Sequence, residues 1–207
     1  MLLPSIARPR VFRGPRLDRP LEYPSVTTPR LILRPHRIND ANEWYSIQSI
    51  PGVNRYMKWP TRSAEESLKH LRDRTRHTRL RQANDFLALA VELDGRLIGD
   101  VSLRLKTVHR DTRNIEIAWI LHPDHSGHGY ATEAASALLD LAFDALEARW
   151  ATALVDLDNV RSIAVAERLG LRGIPLDRDT IAFFGSPALR EAHVDQAQAR
   201  HLGRRAS

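Results

Sequence analysis

The sequence of 207 residues contains no cysteine. Disulfide bonds, zinc sites built on thiolates and a cysteine nucleophile are therefore excluded, and any catalysis must rely on other groups. No apolar run approaches the roughly 18 residues that a membrane-spanning helix needs. The short apolar start is interrupted by Pro4 and Arg8, so the apolar centre of a secretory signal is missing. From these absences we expect a cytoplasmic protein.

Acidic residues are fewer than basic ones, and the formal net charge is +6. This balance favours anionic partners, either nucleic acid or a phosphorylated small molecule. The basic residues are nearly all arginine, lie scattered along the chain and accompany no recognised nucleic-acid motif. We therefore expect neither nucleic acid nor a membrane as the main partner.

The length suits one sizeable core, and the composition divides the chain into three parts. Residues 1–26 hold five prolines and five arginines with little apolar periodicity, which predicts a flexible N-terminal arm or one that wraps the domain or a partner subunit. Residues 27–190 are predicted to form a single domain. Residues 191–207 are predicted to be the polar end of a helix and a basic tail.

Local patterns predict the secondary structure. Alternation from Arg30 indicates a half-buried strand, and Ser63 with Glu66 has the spacing of a helix capping box. Three strand-like runs follow between residues 85 and 121, with a hairpin turn predicted at Asp94 and Gly95. Such closely spaced strands indicate an antiparallel meander, so we predict an α+β fold with helices covering a largely antiparallel sheet.

The stretch HPDHSGHGYATEA places Gly127 and Gly129 directly before a helical pattern that begins at Tyr130. A loop between a strand and a helix presents the helix's unpaired amides and the positive end of its dipole. Glycines let the backbone approach a ligand closely, so the loop suits a phosphate or pyrophosphate. Taken alone, the pair is more ordinarily a tight turn. The nucleoside-triphosphate loop and the three-glycine dinucleotide motif are both absent.

The segment EIAWILHPDHSGHGYATEAASALLDLAF, followed after a strand by DLDNVRSIAVAERLGL, resembles the core of the GCN5-related N-acetyltransferase superfamily. The closest branch is the one that includes the ribosomal-protein N-terminal acetyltransferases. The stretches TTPRLILRP and LDGRLIGDVSL also match, so the resemblance spans residues 26–172. It implies a mixed, largely antiparallel twisted sheet of six to seven strands with helices on both faces.

The resemblance also implies an activity. An acetyl group would pass from acetyl-CoA to a primary amine by direct attack in a ternary complex, without a metal and without an acyl-enzyme. The acceptor would be a protein N-terminus or a small molecule, and the protein a monomer or homodimer. A non-catalytic acyl-CoA-binding regulatory module and a nucleic-acid-binding accessory domain remain alternatives.

The family's glycine pattern assigns the residues that would bind the co-substrate. Backbone amides from Gly127 to Ala131, with the Thr132 hydroxyl, would hold the pyrophosphate, and Ser126 stands where the family usually has Gln or Arg. A backbone amide between Ile117 and Leu121 would stabilise the thioester oxygen, on a strand that the family splays from its neighbour. The predicted acetyl-CoA site comprises Ile117, Trp119, Leu121, Ser126, Gly127, His128, Gly129, Tyr130, Ala131, Thr132, Asn159 and Ser162.

The same resemblance suggests the catalytic groups. Glu116 occupies the position of a general base in some members, although it could equally be a solvated carboxylate or an ion-pair partner of Arg113. Many members place a general-acid tyrosine where this chain has Ala166. Ser162 matches a serine that the ribosomal-protein branch has been proposed to use in this role, so the resemblance suggests it as the proton donor or as a contact of the thiol. Asn159 would contact the pantetheine or cap the following helix.

The family builds its acceptor pocket from the first two helices and the central strands. This predicts Trp44, Tyr56, Trp59 and Glu116 as acceptor-binding residues, with Trp119 nearby, although core packing is the ordinary role of such aromatic residues. The end of the chain departs from the family, which usually finishes with two long strands. Here TIAFF suits a strand, and the residues after Pro187 suit a helix.

His122, His125 and His128 recur every third residue. Pro123 and the change from strand to loop argue against a shared helical face. We therefore predict no metal site there.

Overall fold

The computed structural model describes residues 15–22, 25–57 and 59–203, with side chains described as far as residue 196. The strands are β1 (Arg16–Glu22), β2 (Val26–Thr27), β3 (Ile32–Pro35), β4 (Arg79–Gln82), β5 (Phe86–Leu93), β6 (Arg96–Thr107), β7 (Asn114–Leu121), β8 (Trp150–Asp156), β9 (Arg172–Pro175) and β10 (Thr180–Gly185). The helices are α1 (Ala41–Gln48), α2 (Pro51–Met57), α3 (Ala64–Arg74), α4 (Tyr130–Asp140), α5 (Val160–Arg168) and α6 (Pro187–Gly203).

The main sheet has eight strands in the order β2-β3-β5-β6-β7-β8-β10-β9. Its neighbouring strands are antiparallel except β7 and β8, which are parallel. The predicted α+β class and largely antiparallel sheet are confirmed. The sheet exceeds the expected six to seven strands because short strands extend both edges: β2 has two residues and β9 has four.

The sheet carries a hydrophobic core on each face. On β5, Leu87, Leu89 and Val91 pack in the cluster that contains α4 and α5, while Ala90 packs against α1 and α3. This follows from the period of two in a strand, which sends alternate side chains to opposite faces. The predicted helices on both faces are therefore confirmed.

Two local predictions are confirmed by hydrogen bonds and backbone angles. The Ser63 hydroxyl accepts the Glu66 amide, and the Glu66 carboxylate accepts the Ser63 amide 2.8 Å away, which completes the capping box of α3. Asp94 and Gly95 both have positive φ, at 48° and 80°, as a two-residue hairpin turn between β5 and β6 requires. The predicted final strand and helix are present as β10 and α6.

Part of the predicted N-terminal arm forms a strand. Arg16–Glu22 is β1, which pairs with β4 in a separate two-stranded sheet. Residues 1–14, 23 and 24 lie outside the described residues, so the extent of a flexible arm stays a prediction, as do the domain boundaries. Within the described part of the chain, no helix has both the length and the apolar character needed to cross a membrane.

Buried ion pairs join β3 and β6 to the helices of one face. Arg34 Nη2 lies 2.7 Å from Asp40 Oδ1, just before α1, and the same guanidinium contacts Glu92. Asp100 on β6 lies 2.7 Å from His36 Nε2 and 3.1 Å from Arg74 Nη1 on α3. Burial opposes ionisation of Asp100, but the charge of Arg74 and the contact with His36 prevail and lower its pKa.

Gly99 marks a close approach between β6 and β7. A Cβ at this position would lie 2.9 Å from Leu121 Cδ1 and closer still to the carbonyl oxygen of Ile120. We expect Gly99→Ala to lower the free energy of unfolding by about 1–3 kcal/mol, because neither strand can move without disturbing the sheet. Chemical denaturation measures this effect. Gly52→Ala is the matched control, since its Cβ would meet nothing within 4 Å; an equal loss there would contradict the steric explanation.

Candidate active site

A cleft opens between the parallel strands β7 and β8. The two strands pair over three residues only, ending with Glu116 opposite Thr152. Beyond that pair β7 continues to Leu121 and β8 to Asp156 without further pairing between them. Backbone groups on the facing edges therefore have no ladder partners in this cleft and are able to bind a ligand. Ile117, Trp119 and Leu121, predicted to contact the co-substrate, lie on this part of β7.

The glycine loop lies between β7 and α4. Gly127 and Gly129 have φ of 85° and 81°, in the left-handed region that side chains other than glycine rarely adopt. Gly129 is the N-cap residue of α4, which begins at Tyr130 as predicted. A Cβ at Gly127 would meet nothing within 4 Å, so backbone conformation rather than crowding explains why this position is glycine.

Six consecutive amides at this loop point to an anion site. The first amide of α4 with a main-chain acceptor is that of Glu133, which donates to Gly129 O at 3.0 Å. Within the described part of the chain, the amides of residues 127–132 have no hydrogen-bond acceptor. Unpaired amides at the positive end of a helix dipole fit a pyrophosphate. The predicted residues Ser126, Gly127, His128, Gly129, Tyr130, Ala131 and Thr132 are brought together here.

An ion pair that the sequence did not reveal holds this loop in place. Arg30 donates from Nε to Glu133 Oε2 at 2.6 Å and from Nη1 to the carbonyl oxygen of His128 at 2.8 Å. Thr28 adds a hydrogen bond from its hydroxyl to Glu133 Oε1 at 2.6 Å. The Arg30 guanidinium also lies 4.7 Å from the ring centroid of Tyr130. We call Thr28, Arg30 and Glu133 the loop brace.

Within the loop brace, the charges of Arg30 and Glu133 compensate each other. Partial burial of Glu133 opposes its ionisation, but the hydrogen bonds from Thr28 and Arg30 prevail and lower its pKa. The carboxylate is thus ionised at neutral pH and neutralises Arg30. The brace consequently orients the loop while leaving the six amides free for a ligand.

Helix α5 begins beside the same cleft. The Ser162 amide donates to Asn159 Oδ1 at 3.1 Å, so Asn159 caps α5, as one of its two predicted roles required. Ser162 is partly buried, and its hydroxyl has no hydrogen-bond partner among the described residues. Ala166, at the position of the family's tyrosine, is fully buried in the core.

Glu116 lies where β7 and β8 begin to diverge. Ile115 and Ile117 point into the core of the α4 face, so Glu116 points to the face covered by α1 and α3. Its side chain is 28% exposed and lies 3.2 Å from Lys106 Nζ and 4.0 Å from Arg104 Nε.

One predicted alternative was an ion pair between Glu116 and Arg113. Glu116 does form ion pairs, but with Lys106 and Arg104, so the predicted partner was wrong. Arg113 instead donates to the carbonyl oxygens of Val108 and Leu146. These bonds tie Arg113 to the loop before β7 and to the end of α4's π-helical extension, Leu141–Ala145.

The predicted acceptor-binding aromatic residues differ in exposure. Trp44 is fully buried and packs in the core beneath α1, which is the ordinary alternative role of this residue. Trp59 is half-buried, with its ring centroid 6.1 Å from that of Trp44. The Tyr56 hydroxyl donates to the carbonyl oxygen of Asp158 at 3.3 Å, which links α2 to the loop before α5.

The three regularly spaced histidines of the sequence, His122, His125 and His128, make different contacts. The His128 ring stacks on Tyr130 at 5.5 Å. His122 and His125 have ring centroids 6.2 Å apart, and His122 Nδ1 accepts the amide of Asp124 at 3.3 Å.

A largely antiparallel sheet, split between two parallel strands in front of a glycine loop, is the arrangement that the sequence resemblance to acyl-CoA-dependent N-acetyltransferases implied. The model of the acetyltransferase (GNAT) domain family matches residues 30–172, and the chain belongs to this family. It is an N-acetyltransferase, and members of the family use acetyl-CoA as the acetyl donor.

Two relatives and one solved structure illustrate the similarity. The uncharacterised N-acetyltransferase p20 of Bacillus licheniformis is 28% identical over 75% of this chain and 86% of its own. The spermidine N(1)-acetyltransferase of Escherichia coli K12 is 29% identical over 67% of this chain and 70% of its own. The structure of Mycobacterium smegmatis RimJ in complex with CoA-disulfide covers 76% of this chain and 82% of its own, with a TM-score of 0.60 and 23% identity, which shows the fold alone.

The loop brace provides a first test of this site. We expect Glu133→Gln to raise the Kd for acetyl-CoA about tenfold, because hydrogen bonds to a charged group contribute about 1.5–3 kcal/mol and 1.4 kcal/mol is a factor of ten. Isothermal titration calorimetry measures the Kd. Glu147→Gln is the control, because it removes the same charge from an exposed ion pair with Arg110. Equal affinities of wild type and Glu133→Gln would contradict a positioning role.

The pKa of Glu133 adds a pH dependence to the same test. Because this pKa is lowered in the folded protein, the ionised carboxylate contributes stability at neutral pH. That contribution is lost as the pH falls through the lowered pKa. The stabilities of wild type and Glu133→Gln should therefore differ near pH 7 and converge in acid.

Proposed function

We propose that this chain transfers the acetyl group of acetyl-CoA to a primary amine by direct attack in a ternary complex. The observation that carries the proposal is the opening of β7 and β8 beyond Glu116, directly in front of six unpaired amides. The amides of residues 127–132 bind the pyrophosphate of acetyl-CoA, and the pantetheine arm that leads to the thioester lies between the two strands. The loop brace fixes the first of these contacts.

The β7 backbone stabilises the reacting carbonyl in this proposal. An unpaired amide between Ile117 and Leu121 donates to the thioester oxygen, where negative charge grows during attack. The C–N bond forms as the C–S bond breaks, so the amine loses a proton and the thiolate gains one. Two side chains beside the cleft are suited to these transfers.

Glu116 accepts the amine proton, directly or through a water molecule, in the mechanism we propose. Its position at the point of divergence supports this role, and its partial exposure leaves it accessible from the face opposite α4. The Lys106 ammonium group lies 3.2 Å from this carboxylate and orients it at the edge of the cleft. Ser162, whose hydroxyl has no partner in the described residues, donates the proton to the thiolate.

Fewer observations support the branch of the family than support the acetyltransferase activity. The sequence motifs favour the ribosomal-protein N-terminal acetyltransferases, and a RimJ structure is similar to this chain. A relative named for spermidine is similar as well. We therefore propose only that the acceptor is a primary amine. The residues that surround the cleft determine which other chemical groups the acceptor carries.

Binding of the co-substrate is tested at the glycine loop. We expect Gly129→Val to abolish acetyl-CoA binding, because φ of 81° is strained for valine and the loop must deform. A thermal-shift titration with acetyl-CoA measures binding. Gly52→Val, in α2, is the control for a glycine replaced outside the loop. If wild type shows no saturable shift with acetyl-CoA, the proposed function fails at its first step.

The proton-transfer roles are tested separately from binding. We expect Glu116→Gln to lower kcat by about 100-fold or more, since general base catalysis contributes about 10²–10⁴-fold. Its Kd for acetyl-CoA should not change. Ser162→Ala should also lower kcat at unchanged Kd. Release of free CoA at saturating substrate measures kcat, and unchanged kcat in either variant would remove that residue from the mechanism.

A further inference from the structure

The face of the sheet on which Glu116 lies is covered over only part of its width. On β5, β6 and β7, Ala90, Leu97 and Ile120 pack in the core beneath α1 and α3. Further along the sheet, Leu154 on β8 and Ile174 on β9 are 55% and 60% exposed. Large apolar side chains grouped on an open sheet surface mark a binding site more often than single ones do.

The strand register places Leu154 and Ile174 on the face of Glu116. Glu116 pairs with Thr152 on β8, and Leu154 follows Thr152 by two residues, so their three side chains leave the same face. Leu154 pairs with Ala182 on β10, and Ala182 pairs with Ile174 on β9. Directly paired residues share a face, so these three residues form one row, which we call the apolar row.

The apolar row begins within reach of a small amine at Glu116. Two residues along a strand span about 6.6 Å and adjacent strands lie about 4.8 Å apart, which together give about 8 Å between the Cα atoms of Glu116 and Leu154 and more where the strands diverge. The register positions between them are those of Ala118 and Thr152, and neither side chain is large or charged. An amine with a chain of about six carbons therefore extends from Glu116 to Leu154.

The charges around Glu116 favour an acceptor that carries only one amine. The Glu116 carboxylate lies 3.2 Å from Lys106 Nζ and 4.0 Å from Arg104 Nε, so two cations surround one carboxylate. A second ammonium group on the acceptor would be repelled by them. An apolar body meets no such repulsion, and its removal from water on the apolar row favours binding.

The size of the open surface favours a small ligand over a folded partner. Its large exposed side chains are Trp150, Leu154, Ile174 and Leu176, each between 48% and 60% exposed. Together they offer a few hundred Å² of apolar surface, the size of functional patches on monomers. A stable interface between proteins buries about 800 Å² on each partner. The apolar surface is therefore smaller than a stable dimer needs.

We propose that the acceptor is a small primary amine with an apolar body, and that Leu154 binds this body while the amine lies at Glu116. Ile174 extends the surface for longer acceptors. The inference rests on the proposed acetyl transfer and names its substrate class. Leu154 contributes to specificity and takes no part in proton transfer, so its replacement changes KM rather than kcat.

A series of amines tests the substrate class on the full-length protein. Ethylamine, butylamine and hexylamine vary the apolar length, while 1,6-diaminohexane and 6-aminohexanoate keep six carbons and end in a charge. At saturating acetyl-CoA, release of free CoA gives kcat and KM. Full burial of one methylene group corresponds to about fourfold in affinity, so on a half-open surface we expect kcat/KM to rise about twofold per added carbon. Hexylamine should exceed both charged amines about tenfold or more.

Variants of Leu154 connect the preference to the apolar row. Leu154→Thr, which suits a strand, should raise KM for hexylamine about tenfold and leave unchanged the kcat, the KM for ethylamine and the Kd for acetyl-CoA. Leu154→Ile should retain the preference. Val194→Thr is the matched control and should behave as wild type, because Val194 is also an exposed apolar residue. It lies on α6, which contacts α4 on the opposite face through Arg190 and Ser136.

The outcomes separate this inference from the proposed function. If ethylamine or the charged amines react as well as hexylamine, or if Leu154→Thr keeps the preference, the inference is overturned while acetyl transfer stands. Analytical ultracentrifugation tests a second copy as the occupant. A wild-type dimer that Leu154→Thr converts to monomers would also overturn the inference, because the second copy would then cover the apolar row.

A binding measurement decides if acetyl-CoA binds but no amine reacts. The thermal shift of the acetyl-CoA complex is then measured with hexylamine. A shift in wild type that Leu154→Thr lacks supports the apolar row as a binding site, and equal shifts or none overturn it. Failure to bind acetyl-CoA overturns both proposals.

Discussion

The three-residue parallel contact between β7 and β8 is the constraint on which the site depends. Parallel neighbours need a crossover connection, and here that connection contains α4. Because the crossover leaves the end of β7, the N-terminus of α4 lies beside the cleft that the diverging strands open. The same topology therefore creates both an opening between strands and a set of unpaired amides in front of it. If β7 and β8 paired as far as Leu121, backbone hydrogen bonds would fill the cleft, and the glycine loop would face a closed sheet.

The register of β7 then assigns different chemistry to the two sides of the sheet. Ile117 points into the core beneath α4, and Glu116 points to the opposite face with Lys106 and Arg104. In the proposed reaction, the co-substrate approaches along α4 and the acceptor approaches from the face of α1 and α3. A shift of one residue in this register would exchange the two sides and place the carboxylate in the apolar core. The pairing with β6, anchored where Gly99 allows close approach, opposes such a shift.

The features predicted from sequence are those set by neighbours along the chain. The glycine conformations, the capping box of α3 and the hairpin at Asp94 depend on a few consecutive residues, and each was predicted at its position. The loop brace joins Arg30 to Glu133, 103 residues apart, so no local period marks it. The contacts of Arg74 on α3 with Trp59 and with Phe86 on β5 likewise join different parts of the chain. Trp44, which the family resemblance suggested for the acceptor pocket, lies fully buried in the core, and no local pattern in the sequence distinguishes a core position from a pocket wall.

The arginines of the α1 and α3 face differ in how their charges are compensated. Arg34 and Arg74 are buried, and each contacts a carboxylate of the chain, so their charges are neutralised and they join helices to the sheet. Arg62 is only partly buried against Trp59, and its pKa is lowered by burial and by the charge of Arg74, while Glu66 acts in the opposite direction. The difference in exposure explains this contrast, because a fully buried charge needs a partner within the chain, whereas solvent reaches part of Arg62.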